Sequence, residues 1–302
     1  MAKKASFDRA AEDTGNIVAL EHVNLTVTDQ ITATDFYVTG LGLTRDPYLN
    51  TASHNMWVNV GRSQFHLPSR SPQQVLRGRI GLVMPDLDRL AKRLESVKKN
   101  LKGTKFKFGP AKNGTRKRND AIDIICPWGN RMRCHAAGTK FGPMALGIPY
   151  LEFDVPRGAA KGIAKFYREI YGADSRFSSR DGAPAAFVPV GYRQELIFRE
   201  TKAKLPKYDG HHIQIYIADF SGPHTKLLER GLITEETNPF QYRVVDIVDV
   251  DSGKKLFQVE HEVRSMTHPL YARSFVNRDP EQSLRDFVPG HEDRSWALPL
   301  AS

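Results

Sequence analysis

A chain of 302 residues with 40% apolar and 10% aromatic side chains holds enough hydrophobic material for about two globular cores. It has no run of roughly 18 apolar residues, which excludes a membrane-spanning helix, and residues 1–16 carry charges without an apolar stretch, so no secretory signal is expected. Lys and Arg number 44 against 34 Asp and Glu, and the resulting formal charge of +10 favours anionic partners or substrates without bearing on the fold.

After an N-terminal tail (1–17), "HVNLTVTDQITATDFYVTGLGL" (22–43) reads as an alternating strand, then a helix carrying Phe36-Tyr37 and closing near a glycine. "WVNVGRSQFHLP" (57–68) follows as paired strands that include His66. Beyond the linker 68–78, "RIGLVMPDLDRLAKRL" (79–94) is a strand and a helix that Asp86 is placed to cap. The Lys/Arg-rich stretch 98–118, with Phe106 and Phe108, is read as an exposed loop, and no nucleic-acid partner is expected. "AIDIICPWGNRMRCH" (121–135) is a hairpin turned by Gly129-Asn130, and it contains both cysteines, Cys126 and Cys134. Lacking a zinc-type spacing, these are expected to be unbridged thiols in a soluble, cytoplasmic protein.

The Gly- and Pro-containing linker 138–147 marks a domain boundary, because the pattern then begins again. Phe166-Tyr167 lie 130 residues after Phe36-Tyr37, and "FVPVGYRQ" (187–194) lies 130 after "WVNVGRSQ" (57–64). "HIQIYIADFSGPHTKLL" (212–228) matches 79–94 at a shift of 133, with Asp219 in the place of Asp86. The last strands surround the turn signal Ser252-Gly253. The chain is therefore a strand, a helix and about three strands, repeated four times from near residues 19, 78, 147 and 210. The aperiodic tail 266–302 is expected either to anchor through Tyr271 and Phe275 on another domain or subunit, or to lid a pocket with His268 or Arg273.

This arrangement over residues 18–265 resembles the vicinal oxygen chelate superfamily, which contains glyoxalase I, type I extradiol dioxygenases and bleomycin-resistance proteins. The H-x-x-x-x-V-x-D-like strand starts, the "FYVTGLGL" helix end and the "CPWGNRMRC" hairpin carry the resemblance. It implies an α+β fold of four βαβββ modules in two tandem domains. These are an N-terminal domain (18–140) with a degenerate site and a C-terminal domain (145–265) with the candidate active site. It also implies that dimers occur, and that a histidine at the strand start often binds a divalent metal inside a curved sheet.

The four strand starts hold His22, Arg79, Tyr150 and His212 at that position, and alternation puts Asn24, Gly81, Glu152 and Gln214 on the same face. In the N-terminal half, His22 and His66 are expected to face Arg79 and Arg133. Permanently charged guanidiniums make a poor cation site, so no metal is expected there, and an anion site stays open. In the C-terminal half, His212, Glu152 and Glu260 are the expected ligands, with Glu262 on the same strand as Glu260 and Glu195 as a further candidate. One histidine and two carboxylates suit Fe(II) or Mn(II). Tyr150 or His261 would then move a proton. The implied function is extradiol-dioxygenase-like or glyoxalase-like chemistry on a small anionic or phenolic molecule with adjacent oxygens. Two alternatives stand beside it: a metal-free binding or sequestering protein, and a metal-independent enzyme using Tyr150, Glu152 and His212.

Overall fold

The computed structural model describes residues 9–49, 54–111 and 121–278. The expected tail segments 1–8 and 279–302, and residues 112–118 of the basic stretch, lie outside the described residues.

Four units of like design follow one another. The first comprises β1 (Ile17–Asn24), a short helix α1 (Gln30–Ala33) that widens into a π-helical segment (Thr34–Gly40), β2 (Thr44–Arg45), β3 (Asn55–Val60) and β4 (Ser63–Pro68). The second comprises β5 (Gly78–Met84), α2 (Leu87–Ser96), β6 (Lys107–Pro110), β7 (Ala121–Ile125) and β8 (Arg131–Ala136). The third has β9 (Gly147–Pro156), α3 (Ala160–Tyr171), β10 (Arg176–Arg180), β11 (Ala183–Pro189) and β12 (Glu195–Thr201). The fourth has β13 (His212–Ile217), α4 (Ser221–Leu228), β14 (Ile233–Asn238), β15 (Gln241–Val248) and β16 (Lys255–Ser265).

Local chemistry explains these elements. The Asp86 carboxylate accepts the Asp88 and Arg89 amides at the start of α2, and Asp29 accepts the Thr32 amide at 2.7 Å at the start of α1. In α3, buried Ile163, Phe166, Tyr167 and Ile170 recur at helical spacing, and Gly172 ends the helix at φ +66°, a conformation open to glycine. Alternation is clean in the central strands. Ile213, Ile215 and Ile217 enter the core from one face of β13, leaving His212, Gln214 and Tyr216 on the other. Cys126 and Cys134 are buried free thiols. Phe106 and Phe108 pack against the core, so this part of the basic stretch is anchored rather than a free loop.

The strands form two eight-stranded sheets. Sheet 1 runs β14-β15-β16-β13-β1-β4-β3-β2 and sheet 2 runs β10-β11-β12-β9-β5-β8-β7-β6. Sheet 1 therefore joins the first unit to the fourth, and sheet 2 joins the second to the third. The α+β fold and the four βαβββ modules match the sequence reading, but the partners within each sheet do not. Residues 18–140 and 145–265 do not each close a sheet of their own, because β1 pairs antiparallel with β13 and β5 pairs antiparallel with β9. Helix α3 ties the layers together, packing on β10–β12 of its own sheet, on β15 and β16 of the other, and on α4.

After β16 the chain crosses back over the first unit. Tyr271 packs edge-on against Tyr216 with ring centres 4.9 Å apart, and Arg273 pairs with buried Asp46 at 2.9 Å. Phe275, Val276 and Asn277 are buried. Asn277 bonds both backbone groups of Gly61, the β3–β4 turn residue at φ +68°, and Asn59 donates to the Val276 carbonyl at 2.8 Å.

Candidate metal centre

The inner face of sheet 1 is polar and buried. Register places Asn24 beside His212 and His66, and His22 beside Gln214 and Gln64. On β16, Glu260 faces His212 and Glu262 faces Gln214. The pairing of β1 with β13 is interrupted between Leu20 and His22, so Glu21 and His22 both find polar surroundings. Such bulges re-aim side chains next to functional sites.

Three imidazoles meet here. One ring nitrogen from each of His22, His66 and His212 lies within 4.8 Å of the other two. The ring centres of His22 stand 5.9 Å from His66 and 5.7 Å from His212. Trp57 stacks on His66 at 3.8 Å with planes 7° apart, fixing that ring. Burial drives all three pKa values down, to about 3 for His22, to about 2 for His66, and well below the ordinary value for His212. At neutral pH all three are uncharged and offer lone pairs.

Among the described residues, neither nitrogen of His22 has a hydrogen-bond partner, nor does Nε2 of His212. The same holds for both amide atoms of Gln214, Oε1 of Gln64 and Oδ1 of Asn24. An unpaired buried polar group costs about 1–3 kcal/mol, so a face that gathers several is shaped for something that binds them. Nitrogen donors within 4.8 Å of one another fit a divalent ion. Glu262 lies behind this group, with Oε2 at 3.5 Å from His212 Nε2. Arg243 and Arg264 each hold one of its oxygens at 2.5 Å. Glu260 is held by Arg243 and lies 3.7 Å from His212 Nδ1. Arg264 also reaches Glu21 at 3.4 Å, and burial raises the pKa of Glu21.

The sequence-predicted residues divide between the two sheets. His212 joins the three-imidazole group, with Glu260 at its edge. Glu152 belongs to sheet 2, where it is buried and bound by Arg79 at 2.8 Å and Arg180 at 3.3 Å, with Arg199 3.7 Å away; it is a counter-ion, not a partner of His212. Tyr150 also lies on sheet 2, its hydroxyl 2.9 Å from His135 Nε2. His261 points to the opposite face of β16 from Glu260 and Glu262, fully buried against Tyr167 and Tyr171, so it cannot reach the imidazoles. Glu195 pairs with Arg176 at 2.9 Å. His22 and His66, expected beside Arg79 and Arg133, are on the other sheet from both arginines.

The registers also show which residues occupy equivalent places. Gly81 faces Arg133 and Tyr150 as Gln214 faces Glu262 and His22, and Glu152 faces Arg79 and Ile197 as Asn24 faces His212 and His66. Sheet 2 therefore carries Arg79, Tyr150, Ile197 and Arg133 where sheet 1 carries His212, His22, His66 and Glu262. The Tyr150 ring lies over Gly81, where an added Cβ would come within 2.5 Å of it.

No protein-family model matches the sequence, and no curated protein matches it. Solved structures do resemble it in shape. Glyoxalase I from Zea mays superposes with a TM-score of 0.56 at 15% identity, covering 82% of this chain and 92% of that one. A "putative dioxygenase" from Bacillus subtilis gives 0.54 at 13% identity, covering 83% and 85%.

Proposed function

Because the chain has the vicinal oxygen chelate fold in a four-module form, we propose that it is a divalent-metal-dependent enzyme acting on a small molecule with adjacent oxygens. The supporting observation is the convergence of three neutral imidazoles, two buried and one half-buried, of which both His22 nitrogens and His212 Nε2 have no hydrogen-bond partner among the described residues. His22, His66 and His212 would hold the ion. An all-nitrogen donor set suits Fe(II) better than Mn(II), which prefers oxygen ligands, and this shifts the choice toward iron. The ion would supply Lewis acidity toward the paired substrate oxygens.

The chain's own residues do the rest. Glu260 and Glu262 flank the His212 ring at 3.7 and 3.5 Å, and Arg243 spans both carboxylates and fixes their place beside it. Trp57 fixes the plane of His66. The Gln214 amide, unpartnered beside His22, can both donate to and accept from a substrate polar group. Arg264, joined to Glu262 and Glu21, fixes both carboxylates beside the imidazoles.

Metal analysis after anaerobic exposure to Fe(II), Mn(II) or Zn(II) tests the proposal. One ion per chain is expected in the wild type and in Glu152→Gln, and none in His22→Ala or His212→Ala. A wild-type protein that takes up no ion, or a Glu152→Gln variant that loses it, defeats the proposal. The first outcome leaves a metal-free binding protein on the same fold.

A further inference from the structure

We propose that the inner face of sheet 2 is a second binding site, which takes a small oxyanion, a carboxylate or a phosphate. The argument starts from the equivalent positions. Where sheet 1 presents His212 and Glu262, both lone-pair donors, sheet 2 presents Arg79 and Arg133, both N–H donors. Arg131 likewise stands in line with Glu260. The same strand register has changed the sign of what its inner face offers, so the ligand it suits changes sign too.

The charges do not cancel. Glu152 is bound by Arg79 and Arg180 and approached by Arg199, three guanidiniums around one carboxylate. Arg133 pairs with Asp123 at 2.6 Å, and the exposed Asp181 lies 3.9 Å from Arg79. Lys140 adds a further cation, whose pKa is lowered by burial and then by the charges of Arg180 and Arg133. Asp154 is shared by Arg131 and Arg199. Among these described residues, six cations stand against four carboxylates.

Arg79 and Arg180 converge on Glu152, the Arg180 guanidinium lies 5.3 Å from the centre of the Tyr150 ring, and the Tyr150 hydroxyl stands 2.9 Å from His135 Nε2; burial and the charges of Lys140, Arg133, Arg180 and Arg79 lower the His135 pKa to about 4. An anion bound there relieves their mutual repulsion. The guanidiniums keep access to solvent, with side-chain exposures of 17% for Arg79 and 27% for Arg180, and their planar forks match an oxyanion. No residue of the three-imidazole group takes part, so this site stands or falls independently of the metal.

Calorimetric titration with inorganic phosphate and with succinate, at constant ionic strength, tests the proposal. One saturable site is expected for at least one of them, and which one distinguishes phosphate from carboxylate chemistry. Affinity should fall by about tenfold or more in Arg180→Gln and in Lys140→Gln, both partly exposed, and stay unchanged in His212→Ala. Circular dichroism and thermal unfolding check that each variant is folded. Absence of saturation with both anions, or affinities in both variants equal to wild type, overturns the proposal and leaves the arginines as internal counter-ions.

Discussion

The two sheets share one design but differ in what their inner faces offer. Sheet 1 lines its inner face with uncharged imidazoles and amides, several of whose atoms lack partners among the described residues. Sheet 2 fills the same positions with a tyrosine ring, an isoleucine and arginines closed on carboxylates. The outer faces remain apolar in both, as Ile213 and Ile215 on β13 and Ile80 and Leu82 on β5 show. Packing constrains one face of each strand, and the other is free to change its chemistry. A few inward positions therefore decide whether the face offers lone pairs or N–H donors.

The largest expected effect comes from removing an imidazole from sheet 1. His212→Ala should weaken metal binding by more than about a hundredfold, measured by competition with a chelating dye. Retained binding would erase the contrast between the faces. The corresponding test on sheet 2 is Glu152→Gln, which leaves three guanidiniums without their shared counter-charge. It should cost about 2–3 kcal/mol in urea unfolding, less than for fully buried pairs because the guanidiniums touch water, and should leave metal content unchanged.

Acid sensitivity sharpens the comparison from the shared core. Burial lowers the His261 pKa to about 4, so this ring stays neutral in the folded chain while the unfolded chain takes up a proton near 6.5. The unfolded state then binds more protons, so this contribution is intact above about pH 6.5 and declines as the pH falls toward 4. The slope is about 1.4 kcal/mol per pH unit. His261→Gln should flatten the measured profile by that amount. The smallest effect is expected from Trp57→Leu, which frees the His66 ring and should weaken metal binding by about three- to tenfold with little change in stability.

Much of this was legible in the sequence. The Phe-Tyr pairs at a shift of 130 are buried in corresponding helical segments, and Asp86 caps its helix. The inward facing of Asn24, Glu152 and Gln214 followed from alternation alone. Which units share a sheet did not follow. Internal similarity relates the first unit to the third and the second to the fourth. That relation is satisfied equally by pairing neighbours in sequence and by pairing outer with outer and inner with inner. Choosing neighbours put His22 beside Arg79 and His212 beside Tyr150, and so set His22 and His66 aside while promoting Glu152. A signal was available, because the strand starts of the first and fourth units both carry histidine while the inner two carry arginine and tyrosine. His261 was misplaced for a smaller reason: a one-residue step along β16 moves a side chain from the cup to the core.

The outer-with-outer pairing has a consequence for biogenesis. Sheet 2 is assembled from consecutive stretches of chain and can close while the polypeptide is still being made, nested inside the rest like a bracket within a bracket. Sheet 1 must wait, since its first strands find their partners only after the fourth unit and its returning strap have left the ribosome. Closing so long a loop is the slow, entropically costly step of such a topology. The three-imidazole group then becomes a mark of completion: a prematurely terminated product would contain His22 and His66 but lack the strand that draws them together with His212.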